Sequence, residues 1–198
     1  EILQNKEHIP EELHGELKDL QLSMNTIHTR TQGLLKFVQT YRKLTGVPEP
    51  TPESVDIAGL TRHVLHLFRE EMERKEIELI TRIPDDPITI QVDPEQIEQV
   101  EINIVINAID ALDGCHKPTI EVRLEKRNGS GVILSIADNG EGIPEDSLHK
   151  IFMPFYSTRE NGSGIGLSLA RQIMKKHHGE IRVHSTPGKG TTCELYFP

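Results

Sequence analysis

Asp138-Asn139-Gly140-Glu141-Gly142-Ile143-Pro144, then Phe152-Met153-Pro154-Phe155-Tyr156-Ser157-Thr158-Arg159, then Gly162-Ser163-Gly164-Ile165-Gly166-Leu167-Ser168-Leu169-Ala170: this stretch decides how the rest of the chain is read. Just before it, Val132, Ile133, Leu134, Ile136 and Ala137 have the length and β-branched content of a buried strand over residues 131–138. That strand delivers Asp138 to its end. A carboxylate there, followed by glycines at 140 and 142, can accept a hydrogen bond from an exocyclic amine while the backbone approaches a flat base closely. Adenine presents such an amine.

Farther on, Gly162, Gly164 and Gly166 lead into residues 167–178, which have helical composition. Free backbone N–H groups and the positive end of a helix dipole thus converge where phosphates can sit. The spacing is not that of a Rossmann G-x-G-x-x-G, and Gly188-Lys189-Gly190-Thr191 lacks the upstream glycine of a P-loop. Read alone, each glycine group also fits an ordinary loop. In the segment between them, 145–161, the polar residues offer little burial while Phe152 and Phe155 can anchor it, so it reads as a cover over the pocket, mobile without nucleotide.

Upstream, Asn103 and Asn107 stand four apart among Ile, Val and Ala in a predicted helix, so both amides project from one face. Asparagine prefers caps and turns, so two on a helix need partners. Phosphate oxygens and a Mg²⁺ ion would serve; for the pair in isolation, so would neighbouring backbone.

The Asn-bearing helix, the Asp-x-Gly-x-Gly box, the Phe-rich box and the Gly-x-Gly-x-Gly box occur in the order found in one family. Over residues 52–198 the chain resembles the ATP-binding catalytic domain of sensor histidine kinases. Asn107-Ala108-Ile109-Asp110-Ala111 and Pro154-Phe155-Tyr156-Ser157-Thr158 look most like the nitrogen-regulation branch. The resemblance implies an α+β chain: a Bergerat-type α/β sandwich whose mixed sheet is covered by three helices. It implies ATP and Mg²⁺ as ligands, with Asn103 and Asn107 as the catalytic pair and Asn107 as the metal ligand. Asp138, Gly140, Gly142 and Ile143 would then meet the base. Phe155, Thr158, Arg159, Gly162, Gly164, Gly166, Leu167 and Thr191 would complete the nucleotide site.

Relatives of this fold that hydrolyse ATP carry Glu one turn before the metal Asn, as a base for water. This chain has Asn103, and a neutral amide cannot take that proton, so the pocket reads as one that holds ATP for transfer to another nucleophile. Two positions depart from the family: Asp110 stands where many histidine kinases have a basic or amide residue, and Arg159 where lysine is common. Two other readings remain: a degenerate nucleotide-binding or dimerisation module, which uses ATP or merely its fold to dimerise and dock partners, and a serine kinase of the anti-sigma type.

At 198 residues with 35% hydrophobic content, the chain can hold one domain and an appendage, or two small domains. Its formal net charge of -9 argues against a nucleic-acid groove, because no basic stripe is available to displace counterions. Two cysteines, Cys115 and Cys193, have no metal-ligand spacing and fit a reducing, cytoplasmic setting, with pairing between them left open. No apolar stretch approaches the 18 or so residues of a membrane span. A chain opening on Glu1 reads as part of something longer, and any membrane anchor is expected outside it.

From Leu13 the positions Leu17, Leu20, Met24, Ile27, Thr31, Leu34, Val38 and Tyr41 alternate in steps of four and three, a heptad seam that requires a partner helix. Residues 33–42 resemble the second helix of the dimerisation hairpin in these kinases, so a homodimer and a response regulator receiver domain are the implied partners. Pro48, Pro50 and Pro52 end the helix. The expected domains are therefore 1–47 and 52–198. The kinases transfer phosphate to a His in a box resembling His-Glu-x-x-Asn-Pro, and none occurs among the 198 residues; His14 and His28 stand in unlike surroundings. Finally, residues 58–75 read as one amphipathic helix with Leu60, Val64, Leu67, Phe68 and Met72 inward, and 78–83 and 88–92 as strands joined by a turn.

Overall fold

The computed structural model of the chain describes residues 14–127, 131–157, 162 and 164–198. It divides into two compact units, Glu1–Thr45 and Gly46–Pro198. The first is α1 (His14–Thr45). On it the seam residues Leu20, Met24, Ile27 and Val38 are 60%, 62%, 65% and 47% exposed. Leu13 and the side chains of Leu17, Leu34 and Tyr41 lie outside the described residues.

The second unit runs β1 (Glu53–Asp56), α2 (Ile57–Leu67), α3 (Arg69–Arg74), β2 (Glu78–Arg82), β3 (Thr89–Val92), α4 (Pro94–Ala111), β4 (Thr119–Lys126), β5 (Val132–Asp138), α5 (Glu145–Leu148), α6 (Gly166–Lys176), β6 (Glu180–Thr186) and β7 (Gly190–Phe197). Five strands form a mixed sheet ordered β2-β4-β5-β7-β6, while β1 and β3 form a separate antiparallel pair. Alternation explains the main sheet. Ile120, Val122 and Leu124 of β4 and Val132, Leu134 and Ile136 of β5 are buried against helical residues such as Val64, Ile97, Val105 and Met174. The other face is polar, with Arg82 and Arg123 both paired to Glu121. Asn128-Gly129, a pair that reads in the sequence as the turn of a hairpin between residues 119–126 and 131–138, lies outside the described residues.

Local signals fix the helix starts. Asp56 accepts from the N–H groups of Ala58 and Gly59 to cap α2, and its Oδ1 also accepts from Ile88, tying β3 to that corner. Asp93 accepts from Gln96 to cap α4, with Pro94 at the first helical position. Burial works against the charge of Asp93, but hydrogen bonds from Thr51 and Gln96 hold its carboxyl below the usual range.

Two expectations need correction. The helix over 58–75 breaks at Phe68 (φ -100°, ψ 5°); the break leaves Leu67 51% exposed and turns Met72 inward at 3%. The strands over 78–83 and 88–92 do not pair. Instead β2 runs parallel to β4 at the edge of the main sheet, and β3 joins β1, because each finds a longer-range edge that its own turn cannot supply. Glu101, on the Asn-bearing helix, is 1% exposed. Its Oε1 accepts from the Thr61 hydroxyl of α2 at 3.1 Å, while Oε2 finds no hydrogen-bond partner among the described residues. Burial pushes this carboxyl up to about 8.

Candidate nucleotide site

A cleft of about 1100 Å³ opens between α4, the ends of β5 and β7, the loop 141–144 and the start of α6. Asn103, Asn107, Asp138, Gly142, Ile143, Gly162, Gly164, Gly166, Leu167 and Thr191 all line it. Residues up to 88 positions apart in sequence thus share one wall. Thr158 and Arg159 lie outside the described residues.

Asp138 is held by backbone. Its Oδ1 accepts from Gly140 N at 2.9 Å and Thr191 N at 3.3 Å, which fixes the plane of the carboxylate at the mouth of the strand. Gly140 is buried behind it rather than on the lining. A Cβ there would come within 2.2 Å of Ala111 O, so the close approach requires glycine. At Gly142 φ is +70° and a Cβ would lie 2.2 Å from Thr186 O. Gly142→Ala is therefore expected to destabilise the domain by about 1–3 kcal/mol through backbone strain alone, and to lower the melting temperature by several degrees in a thermal scan. A melting point equal to that of the unsubstituted chain would contradict the strained geometry.

Opposite, Asn103 bridges two elements. Its Nδ2 donates to Gly166 O at 3.3 Å and its Oδ1 accepts from Gln99 Nε2 at 3.4 Å. That contact holds the N-terminus of α6 against α4. Ile165 provides no side-chain cap there, and Gly166 and Leu167 at the start of α6 line the cleft, at the positive end of the helix dipole. Asn107 lines the same wall one turn on.

The described part of the cover is fastened at several points. Phe155 N donates to Gly164 O at 2.8 Å, Tyr156 OH to Ser147 Oγ at 2.9 Å, and Arg171 stacks 4.9 Å over the Phe152 ring. Phe155 adopts a positive φ of 66° and is 42% exposed. It sits beside Gly164 rather than on the lining. Sequence reasoning missed the floor, where Ile104, Ile136, Val183 and Cys193 contribute apolar surface. It also missed Ser185, whose hydroxyl accepts from Ile143 N at 2.7 Å and pairs with the Thr191 hydroxyl at 2.9 Å. The alternation of β6 and β7 carried that signal. Both thiols are free, and burial pushes that of Cys193 up to about 12, which leaves it a neutral wall group.

The chemistry of this wall suits a nucleotide with its metal: a fixed carboxylate for an amine, an apolar slot for a base, backbone donors for phosphates and amide oxygens for a hard cation. Among the described residues no group of three His, Cys, Asp or Glu side chains could hold a metal alone.

Comparison with known proteins points the same way. Residues 92–198 match the family model described as histidine kinase-, DNA gyrase B-, and HSP90-like ATPase. Over 146 residues, 74% of this chain and 31% of the relative, the sequence is 38% identical to the sensor histidine kinase ZraS of Escherichia coli strain K12. It is 33% identical to sporulation kinase E of Bacillus subtilis over 147 residues, 74% of this chain and 20% of that protein. The nucleotide-free catalytic domain of histidine kinase ThkA superposes with TM-score 0.68 at 30% identity, covering 75% of this chain and 95% of that one. The chain spans about a third or less of the curated relatives it matches.

Proposed function

This chain belongs to the histidine kinase-, DNA gyrase B- and HSP90-like ATPases, and within them to the histidine kinase catalytic domains; from that premise we propose that it is the ATP-binding part of a two-component sensor kinase. It would hold Mg-ATP and hand the γ-phosphoryl to a histidine, for relay to a response regulator. The observation that carries this reading is the meeting of Asp138, Asn103, Asn107 and the α6 N-terminus in one cleft.

Each group has a task there. Asp138 accepts the adenine amine, and the glycines let backbone and base meet. Asn107 would supply an oxygen to a bound Mg²⁺, which would screen charge on the phosphates. Asn103 positions the α6 N-terminus, whose N–H groups hold phosphate oxygens. With an amide at 103, the position that carries the base for water in hydrolysing relatives cannot take a proton, which favours transfer to a positioned nucleophile over hydrolysis.

The exposed seam of α1 supports self-association, since an apolar stripe of that kind gains from burial against a second copy. A receiver domain as partner is supported by likeness to ThkA, whose structure in complex with the response regulator protein TrrA matches at TM-score 0.66 and 25% identity, over 100% of this chain and 55% of that one. Among the described residues no helix is long and apolar enough to cross a membrane.

Incubation with γ-labelled ATP and Mg²⁺ tests the proposal. The 198-residue chain alone should stay unlabelled, and acid-labile phosphate should appear when a longer form carrying an upstream His-Glu-x-x-Asn-Pro helix is added. Label on His14 or His28 would overturn the assignment of the acceptor. Acid-stable phosphoserine would favour the anti-sigma type, and absence of nucleotide binding would favour a degenerate module.

A further inference from the structure

Behind the Asp138 end of the cleft lies a short chain of hydroxyls to which the nucleotide assignment gives no task. Ser185 of β6 and Thr191 of β7 are register partners, two residues from Val183 and Cys193, so they share the sheet face that those residues present to the cleft. Thr191 lines the cleft, and its backbone N–H donates to Asp138 Oδ1 at 3.3 Å. Ser185 stands behind it, off the lining.

The supply of protons gives this chain a direction. Gly190 O can only accept, and Ser185 Oγ lies 3.0 Å from it, so the single hydroxyl proton of Ser185 goes there. Ser185 Oγ also accepts from Ile143 N at 2.7 Å. Thr191 Oγ1 lies 2.9 Å from Ser185 Oγ, and with the serine proton already used, the threonine is the donor. Its proton is thereby turned toward Ser185, and lone pairs are what it presents to a ligand. Backbone holds the corner still: at Gly190 (φ +103°) a Cβ would lie 1.9 Å from Asp138 O, so the start of β7 is pressed against the strand end that carries the carboxylate.

We infer that Ser185 is a positioning residue for base selection: by taking the Thr191 proton it makes Thr191 a second acceptor beside Asp138, so this corner admits a purine with an amine at C6 and rejects one with a carbonyl there. This role rests on the adenine-nucleotide reading above and adds a cause for its selectivity. A carbonyl at C6 would set its lone pairs against two acceptors, one of them anionic, and neither could turn a proton toward it. A threonine hydroxyl free to rotate would relieve half of that conflict by donating to the carbonyl.

Calorimetric titration with ADP and with inosine diphosphate (IDP), both with Mg²⁺, reads the ratio of the two affinities without any turnover. For the unsubstituted chain ADP should bind tighter by on the order of 100-fold or more, because the wrong base leaves polar groups unpaired. Ser185→Ala releases the Thr191 hydroxyl, and the ratio should fall by about three- to tenfold, the range of a hydrogen bond between neutral groups. The same variant frees Ile143 N, which weakens both ligands alike and drops out of the ratio. Ser185→Thr keeps a hydroxyl in place and should restore the ratio. Thr191→Val presents neither lone pair nor proton and should lower the ratio too, and adding Ser185→Ala to it should then change the ratio no further.

These outcomes separate the two readings. If the unsubstituted chain binds neither nucleotide, the nucleotide assignment fails and the role of Ser185 falls with it. If it binds ADP but Ser185→Ala weakens ADP and IDP by the same factor, the nucleotide reading stands and the role of Ser185 is overturned. A further fall in the ratio when Ser185→Ala is added to Thr191→Val would also overturn it, since the effect would not run through Thr191. Thr191→Val leaves the bonds from Ser185 to Ile143 and Gly190 in place, so it decides the matter even if Ser185→Ala does not fold: an unchanged ratio in that variant overturns the role.

Discussion

Asp138→Ala should weaken ADP binding by tenfold or more. A hydrogen bond to a charged group contributes about 1.5–3 kcal/mol, and each 1.4 kcal/mol is a factor of ten in affinity. The geometry makes the full effect reasonable. The carboxylate is oriented before any ligand arrives, by Gly140 N at 2.9 Å and Thr191 N at 3.3 Å, so little ordering cost is deducted on binding. Asp138→Asn separates charge from shape: an amide holds the same volume, loses the anionic acceptor and can misalign one edge with the base. It should bind ADP less well than the unsubstituted chain and lose its preference over GDP. Because both variants release backbone donors, melting temperature without nucleotide must be followed alongside. Equal calorimetric affinity for ADP in all three proteins would remove Asp138 from the site.

The second large effect concerns stability. Glu101 is fully buried and its carboxyl is raised from 4.5 to about 8, first by desolvation and further by the charge of Glu98, against the hydrogen bond from Thr61. A raised carboxyl is protonated in the folded chain over a range where the unfolded chain has already released the proton. Its contribution is therefore whole below about pH 4.5 and is lost as pH rises toward about 8, where the loss levels off. At pH 7 the deficit is about 3 kcal/mol, from 1.36 kcal/mol per pH unit above 4.5. Replacing the pair by apolar groups, Glu101→Leu with Thr61→Val, removes both the titration and the Oε2 that finds no hydrogen-bond partner among the described residues. The double variant should be more stable than the unsubstituted chain by up to that amount at pH 7, and the difference should shrink toward pH 5. Urea unfolding across pH 5–8 measures it. Parallel stability curves for the two proteins would show that Glu101 does not titrate in this window.

Much of the candidate site was legible because its signals are short-range. Gly140, Gly142, Gly164 and Gly166 announce backbone that must pass close to something, and the Asn103–Asn107 step announces one helix face. The caps at Asp93 and Pro94 mark where that face begins. These are local statements about propensity, hydrogen-bonding capacity and period, and the chain carries them wherever it folds. The order of the four boxes then restricts the family, and the match over residues 92–198 agrees with it.

What only the tertiary structure decided depends on which surfaces meet. Nothing within residues 78–92 tells β2 to lie parallel to β4 and β3 to seek β1, since strand pairing is a choice among distant edges with similar backbone chemistry. Glu101 sits in a helical sequence where a charge reads as a solvated face, and only the packing of α2 across it makes it a buried neutral acid. Ser185 looks like an ordinary strand residue until β6 and β7 bring its hydroxyl to 2.9 Å from that of Thr191, beside Asp138.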